Sequence, residues 1–259
     1  MKTAVVLPTY NERENLVSLV SQLLALDIGL EVIVVDDNSP DGTGAVADEL
    51  AARDGRVHVI HRAGKLGLGT AYIAGFQHAL ALGAERVLTM DADFSHHPRH
   101  VPAVVALTEH YHVGIGSRYV RGGGVAEDWG QRRRFLSRGA NLFARAALGL
   151  KAHDCTAGFR CYRREVLQSI ELERIFSNGY SFLIEMMYRC QRLGYTFGET
   201  PILFENRRQG ASKISQWEIY RAMLTVARLS VSRLLFWRSA ERFGRRAAKP
   251  ETESTSPVG

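Results

Sequence analysis

Apolar runs of about five residues alternate with longer stretches of helical spacing through the first half of the chain. Thr3 to Leu7 is an apolar run closed by Pro8, and Glu31 to Val35 is a second. Val57 to His61, Arg86 to Met90 and His112 to Gly116 continue the series. Between them, Glu12 to Leu26, Thr43 to Arg53, Leu68 to Leu82 and Pro98 to Glu109 place apolar residues at helical spacing, with Asn11 as N-cap of the first. This alternation predicts βαβ units and a mostly parallel sheet, an α/β fold. Such sheets bind ligands beyond the carboxyl ends of their strands.

The second half reads differently. Gly122-Gly-Gly124 predicts a turn, Arg132 to Leu148 a helix, and Ser181 to Leu193 a helix carrying Glu185. Thr196 to Glu205 predicts a late strand, and Pro201 within it argues for a sheet edge. Ile214 to Trp237 predicts one long helix with a polar stripe at Arg221, Thr225, Arg228 and Ser232. Its other faces are mostly apolar, so it packs on the domain or lies in a membrane interface. Beyond Ser239 the chain is basic, then polar, and reads as disordered.

Composition narrows the class. The 259 residues are 46% hydrophobic, enough for a full core. Lys+Arg 33 against Asp+Glu 27 gives a net charge of +6, with the excess in runs such as Arg132-Arg133-Arg134, Arg207-Arg208 and Arg242 to Lys249. Basic runs suit phosphate, nucleic acid or anionic lipid, or form a solvated face. Cys155, Cys161 and Cys190 are odd in number and lack metal-ligand spacing, which suits reduced thiols in a cytosolic protein. No window offers about 18 uncharged apolar residues, so no transmembrane helix is expected. The N-terminus reads as a first strand, too short for a signal sequence.

Polar clusters follow three strands: Tyr10-Asn11-Glu12, Asp36-Asp37-Asn38 and Asp91-Ala92-Asp93. Two carboxylates at a strand end suit a hard divalent cation such as Mg²⁺ or Mn²⁺, which keeps open positions for substrate phosphates. A calcium loop counted from Asp91 fails, because His96 and Pro102 stand where it requires Gly and an acid. An aspartyl nucleophile for phosphoryl transfer remains an alternative, although such a pair usually follows a first strand. A metal-dependent nucleotide-sugar transferase explains all three clusters, with Asp37 at the base or ribose and Pro8, Tyr10 and Glu12 framing it. Gly64 to Tyr72 is neither a Walker A nor a good dinucleotide fingerprint. A helix N-terminus near phosphate and a plain loop cap both fit it. His96 and His97 are read as loop packing or as orienting the carboxylates rather than as ligands.

Together these residues resemble glycosyltransferase family 2, and within it the polyprenol- and dolichol-phosphate mannose synthases. The matching segments are Pro8 to Glu12, Val35 to Thr43, Gly64 to Tyr72, Asp91 to Pro98 and Gly116 to Tyr119. Arg133 to Asn141, Asp154 to Arg160 and Arg207 to Lys213 complete them. The likeness implies a GT-A-type nucleotide-sugar-binding catalytic domain over 1–213, an amphipathic helix over 214–238 and a tail over 239–259. It implies inverting transfer of mannose from GDP-mannose to a polyprenyl or dolichyl monophosphate, with Mg²⁺ or Mn²⁺ as cofactor.

By likeness, Pro8, Tyr10, Glu12, Val35 and Asp37 contact guanosine, and Met90, Asp91 and Ala92 lie beside the nucleotide sugar. Asp91 and Asp93 hold the metal. Ser95, a glutamine in some relatives, is a poor third ligand whose position water can fill. Arg118, Arg207 and Lys213 hold phosphates, Arg118 among the catalytic set, and Arg133 and Ser137 join it at the acceptor phosphate. The implied location is the cytoplasmic face of a membrane, as a peripheral protein, with or without a separate membrane anchor and without nucleic acid. Another donor such as UDP-glucose stays open. A non-catalytic binder of anionic membranes is the alternative outside enzymes, but docking would need none of the acidic clusters.

Overall fold

The computed structural model describes residues 1–126, 130–206 and 220–231. Seven strands form the main sheet in the order β3-β2-β1-β4-β7-β5-β8. They are β1 (Thr3–Thr9), β2 (Leu30–Asp36), β3 (Val57–His61), β4 (Arg86–Thr89), β5 (Val113–Ser117), β7 (Arg160–Arg163) and β8 (Phe197–Pro201). All run parallel except β7, which lies antiparallel between β4 and β5. A second, two-stranded sheet pairs β6 (Gly124–Val125) with β9 (Leu203–Phe204).

The central strands read as continuous apolar runs because both of their faces are buried. Along β1 the side chains alternate. Ala4 and Val6 enter one core, with Tyr72 and Phe76 of α3 (Leu68–Ala81) and Phe182 of α7 (Tyr180–Arg192). Val5 and Leu7 enter the other, with Leu16 and Leu19 of α1 (Arg13–Leu24) and Val104 of α4 (Val101–Ala106). α2 (Thr43–Arg53), α5 (Gln131–Leu148) and α6 (Arg164–Ser169) complete the numbered helices, and residues 220–231 are helical, here α8. Helix α3 crosses β1 so closely at Gly75 that a Cβ there would run into Val6.

Four local expectations change. Glu12, not Asn11, is the N-cap of α1, and no side chain of its own caps it. Asn11 sits at φ 59°, and the N–H groups of Asn11, Glu12 and Arg13 donate to Ser39 Oγ, Thr43 Oγ1 and Asp41 Oδ2 at 3.0, 3.0 and 3.2 Å. The cap thus comes from the β2–α2 loop. The expected helix over 98–109 is α4 flanked by 3-10 turns at Pro98–His100 and Leu107–Glu109. The side chain of Arg163 takes the carbonyls of Thr108 and Glu109, which ends it. The single late strand is two, β8 at the edge of the main sheet as Pro201 required, and β9 in the second sheet. Strand β7 was not foreseen. Of the expected helix over 214–237, only 220–231 is described, and the domain boundary and tail lie outside the described residues.

Candidate active site

Strand β1 has β2 on one side and β4 on the other, so the connections diverge at the β1/β4 crevice. A sheet of this kind binds ligands there. The carboxyl ends of β1, β2, β4 and β5 bring Tyr10-Glu12, Asp36-Asp37, Asp91-Asp93 and Arg118 to one edge. The three acidic clusters therefore do converge, as their positions after strands implied.

The β4 cluster is built to hold two carboxylates apart from each other's surroundings. Phe94, buried and at φ 63°, turns the chain between Asp93 and Ser95. A bulky residue in the left-handed region stores strain of the kind that concentrates at functional sites. Asp93 is buried, and its Oδ1 accepts from Ser95 N at 3.0 Å and Ser95 Oγ at 2.5 Å. Ser95 is thus placed as the donor that fixes Asp93. The Asp91 side chain keeps 33% of its surface exposed. Its backbone N–H donates to His96 Nδ1 at 3.2 Å, and the phenol of Tyr72 donates to Oδ1 at 3.5 Å.

His96 stacks on Phe159 with centroids 5.0 Å apart, and burial lowers its pKa, so the ring is a neutral acceptor. Burial, reinforced by the Asp91 charge, raises the Tyr72 phenol well above its ordinary value and keeps it a donor. His96 thus packs in the loop and holds the backbone of Asp91, while its Nδ1 stays 3.7 Å from the nearer carboxylate oxygen. His97 instead caps the 3-10 turn, its side chain accepting from Arg99 N.

The donor set suits a hard cation. Among the described residues no third His, Cys, Asp or Glu joins Asp91 and Asp93 in a metal-binding group. Water and substrate phosphate are the oxygens a Mg²⁺- or Mn²⁺-like ion adds to such a pair.

On the β2 side the two aspartates part. Asp36 accepts from Thr9 Oγ1 at 2.9 Å and from Ser39 N and Oγ, which ties the strand ends together. Asp37 faces Arg62, with Oδ1 2.8 Å from Nη1 in an ion pair that lacks hydrogen-bond alignment. Burial raises the Asp37 pKa, partly opposed by Arg62. Arg62 also donates to Gly67 O at 3.3 Å and Thr70 Oγ1 at 2.6 Å. It therefore clamps Asp37 to the loop that opens α3. Lys65 Nζ lies 4.6 Å over the Tyr10 ring. The Glu12 carboxylate accepts from Asn15 Nδ2 at 3.0 Å. Pro8 and Val35 sit opposite each other in the β1–β2 register, and Met90 and Ala92 are buried beside the crevice.

Arg118 leaves β5 and meets a partner that sequence reading did not assign. Its Nε and Nη2 donate to Asp154 Oδ2 and Oδ1 at 2.8 and 2.7 Å, and Nη2 also reaches Thr156 Oγ1 at 2.8 Å. Asp154 is fully buried, and Glu199 on β8 accepts from its N–H at 3.0 Å. Burial opposes the Arg118 charge, but Asp154 outweighs it and raises the pKa. The same pair holds the Asp154 carboxyl below its ordinary value despite burial. Nη1 has no hydrogen bond among the described residues, so a donor edge remains for an anion. Next along the chain, Tyr119 Oη and Ser137 Oγ of α5 lie 2.7 Å apart. Ser137 is thereby tied to the Arg118 segment, and Arg133 lies one turn before it on the same helix.

The side chain of Arg133, and Arg207 and Lys213 altogether, lie outside the described residues. Glu205 N donates to Ser95 O at 3.1 Å, which brings the chain to the β4 cluster two residues before Arg207. Sequence reading missed Arg62, Tyr72, Asp154, Tyr119 and Glu199 as site residues. Tyr72 and Asp154 lay in segments already singled out; Arg62 and Glu199 carried no motif signal.

Residues 4–171 match the family model described as glycosyl transferase family 2. The chain is 47% identical over 228 residues to a polyprenol monophosphomannose synthase of Mycolicibacterium smegmatis, covering 87% of this chain and 86% of that one. It is 42% identical to an undecaprenyl-phosphate mannosyltransferase of Micrococcus luteus, covering 88% and 93%. Among solved structures, glucosyl-3-phosphoglycerate synthase of Mycobacterium tuberculosis in complex with Mn²⁺, UDP and glucosyl-3-phosphoglycerate aligns with TM-score 0.61 at 22% identity, covering 88% of this chain and 80% of that one. Mannosyl-3-phosphoglycerate synthase of Rubrobacter xylanophilus aligns with TM-score 0.59 at 22% identity, covering 99% and 79%.

Proposed function

The chain belongs to glycosyl transferase family 2 and has a GT-A-like α/β fold, and on that premise we propose that it transfers mannose from GDP-mannose to a polyprenyl monophosphate. The observation that carries the reading is the pair Asp91 and Asp93 at the β1/β4 crevice, with Arg118 at the end of β5. The two relatives named for polyprenyl-phosphate mannosyl transfer, at 47% and 42% identity, supply the sugar and the acceptor class.

The acceptor phosphate is already an anion at neutral pH, so its oxygen needs no strong general base. That oxygen attacks the anomeric carbon in line, a new C–O bond forms, and the bond to the departing diphosphate breaks with inversion to a β-mannosyl phosphate. A divalent cation held by Asp91 and Asp93 supplies charge neutralisation for the leaving diphosphate, a role consistent with the Mn²⁺ named with the mycobacterial synthase. Tyr72, His96 and Ser95 orient its two ligands. The free edge of Arg118, with Arg207 and Lys213, offsets the phosphates. Arg133 and Ser137 receive the acceptor, and Tyr10, Glu12, Pro8, Val35 and Asp37 frame the nucleoside.

A lipid acceptor places the protein at a membrane surface. α5 exposes Phe135, Leu136, Leu142 and Phe143, and α8 exposes Tyr220, Met223, Leu224 and Val231. Ser230 Oγ reaches Ala147 O at 3.5 Å, so the two helices adjoin. No described helix is long and apolar enough to cross a membrane. Interfacial docking through α5 and α8 fits that surface.

A donor screen tests the reading. The protein is incubated with polyprenyl phosphate and Mg²⁺ or Mn²⁺, and separately with GDP-mannose, UDP-glucose and other hexose donors. Lipid-linked mannose from GDP-mannose is the expected product. A preference for UDP-glucose corrects the donor, and no product with any donor overturns the assignment.

A further inference from the structure

In the main sheet β7 separates β4 from β5. No described ladder therefore pairs the strand that leads to Asp91 and Asp93 with the strand that leads to Arg118. Strand β9 links them beyond their carboxyl ends. Ile202 N, just before β9, donates to Ser117 O at the end of β5, at 3.0 Å. Glu205 N, just after it, donates to Ser95 O in the loop that follows β4, at 3.1 Å. The Glu205 carboxylate also meets Arg99 Nη2 at 2.8 Å. Between these ties Phe204 pairs with Val125 of β6, and its carbonyl accepts from Ala126 N at 2.9 Å. The backbone of β9 is thus fixed from both ends, and with it the place of the Phe204 ring.

That ring touches both clusters. It meets His96 in an edge-to-face contact, with centroids 5.3 Å apart and an interplanar angle of 77°. The Arg118 guanidinium carbon lies 5.4 Å over the same ring, within the range of a cation–π contact. His96 in turn stacks on Phe159 and accepts from Asp91 N. Arg118 is held on its other side by Asp154, and a second ring, Tyr119, lies 5.1 Å from it. Each group has anchors of its own, and Phe204 is a contact that the two share. A leucine would fill much of the same volume. It would offer no π face to the cation and no ring to the imidazole.

We infer that Phe204 is a positioning residue for the proposed transfer, an inference that rests on that reading. Its ring sets the Arg118 guanidinium against the loop that carries Asp91 and Asp93. The separation matters because a cation at the two carboxylates and the guanidinium must meet oxygens of the same bound phosphates. Misplacing a charged group by about 1 Å can cost on the order of a hundredfold in rate. Phe204 is assigned no contact with substrate. It acts through Arg118 and through His96.

The test compares the full chain as wild type, Phe204→Leu and Phe204→Tyr, of which the last keeps the ring. Calorimetry reads the binding of GDP, and separately of UDP, in the presence of Mn²⁺. Steady-state assays with polyprenyl phosphate read kcat and KM, and thermal melting checks the fold. Phe204→Leu is expected to weaken nucleotide binding by about fivefold and to lower kcat by about tenfold, at an unchanged melting temperature. Phe204→Tyr is expected to stay within about twofold of wild type in both. Wild-type binding and kcat in Phe204→Leu would overturn the inference. So would an equal loss in Phe204→Tyr, since the ring would then not be what matters. A fall in the melting temperature of Phe204→Leu that accounts for its loss would reduce the residue to packing and overturn it as well. A wild type that binds Mn²⁺ and nucleotide but transfers no sugar would sink the functional reading alone, because the binding arm still decides the placement. A wild type that binds neither nucleotide would overturn both.

Discussion

At the scale of single residues, the site depends on charges that are held rather than merely present. Asp154 is the clearest case. Removing one member of a buried ion pair leaves the other uncompensated, which costs about 3–5 kcal/mol. Asp154→Asn is expected to lower the stability of the fold by roughly that amount, read in a denaturant titration. The acid dependence follows from the same pair. The Asp154 carboxyl lies below its ordinary value of 3.8, because Arg118 outweighs burial. As pH falls, the unfolded chain takes up this proton first. The contribution is therefore complete above the ordinary carboxylate value and is lost as pH drops through the folded one. Wild-type stability should fall more steeply than that of Asp154→Asn below about pH 4. Equal slopes would deny the pair this role. Tyr72→Phe removes only the phenol at 3.5 Å from Asp91, and should slow transfer with little change in melting temperature.

The elements divide by how their sequence expresses burial. β1 and β2 were legible because both faces are apolar, and α3 because its spacing is regular. β7 was not, because Arg160 interrupts the apolar pattern while being buried itself. Its guanidinium donates to Leu183 O at 2.7 Å and Cys155 O at 2.8 Å, contacts that no local pattern announces. The cap of α1 was misassigned for a similar reason, since its acceptors lie on another loop. Closeness of packing makes its own prediction. Gly75→Ala drives α3 off β1 and is expected to cost about 1–3 kcal/mol, measured by thermal or chemical unfolding. The three cysteines lie in the packed interior, and burial raises each thiol to about 12. Thiol titration of the folded protein near neutral pH should find none that reacts before unfolding. The exposed apolar faces of α5 and α8 predict that Phe135→Ser with Leu142→Ser weakens vesicle association without loss of fold. Unchanged association would remove α5 from the membrane surface.

At the scale of the molecule, the sheet order explains why short clusters scattered over the first 118 residues form one site. The three polar clusters were readable because each follows a strand that the pattern already marked. Arg62 and Glu199 were not, because what they touch is set by which strands become neighbours. The whole arrangement sets the Asp91–Asp93 pair, the loop that Arg62 clamps to Asp37 and the Asp154-paired Arg118 along one sheet edge, beside two helices with exposed apolar faces. The most direct test of that account is transfer of labelled mannose from GDP-mannose to polyprenyl phosphate, measured against Mn²⁺ concentration for wild type and Asp93→Asn. The account predicts saturable metal dependence in wild type and a loss of at least about a hundredfold in the variant, with its fold unchanged. Transfer by Asp93→Asn at the wild-type rate, or transfer undiminished by a metal chelator, would contradict it.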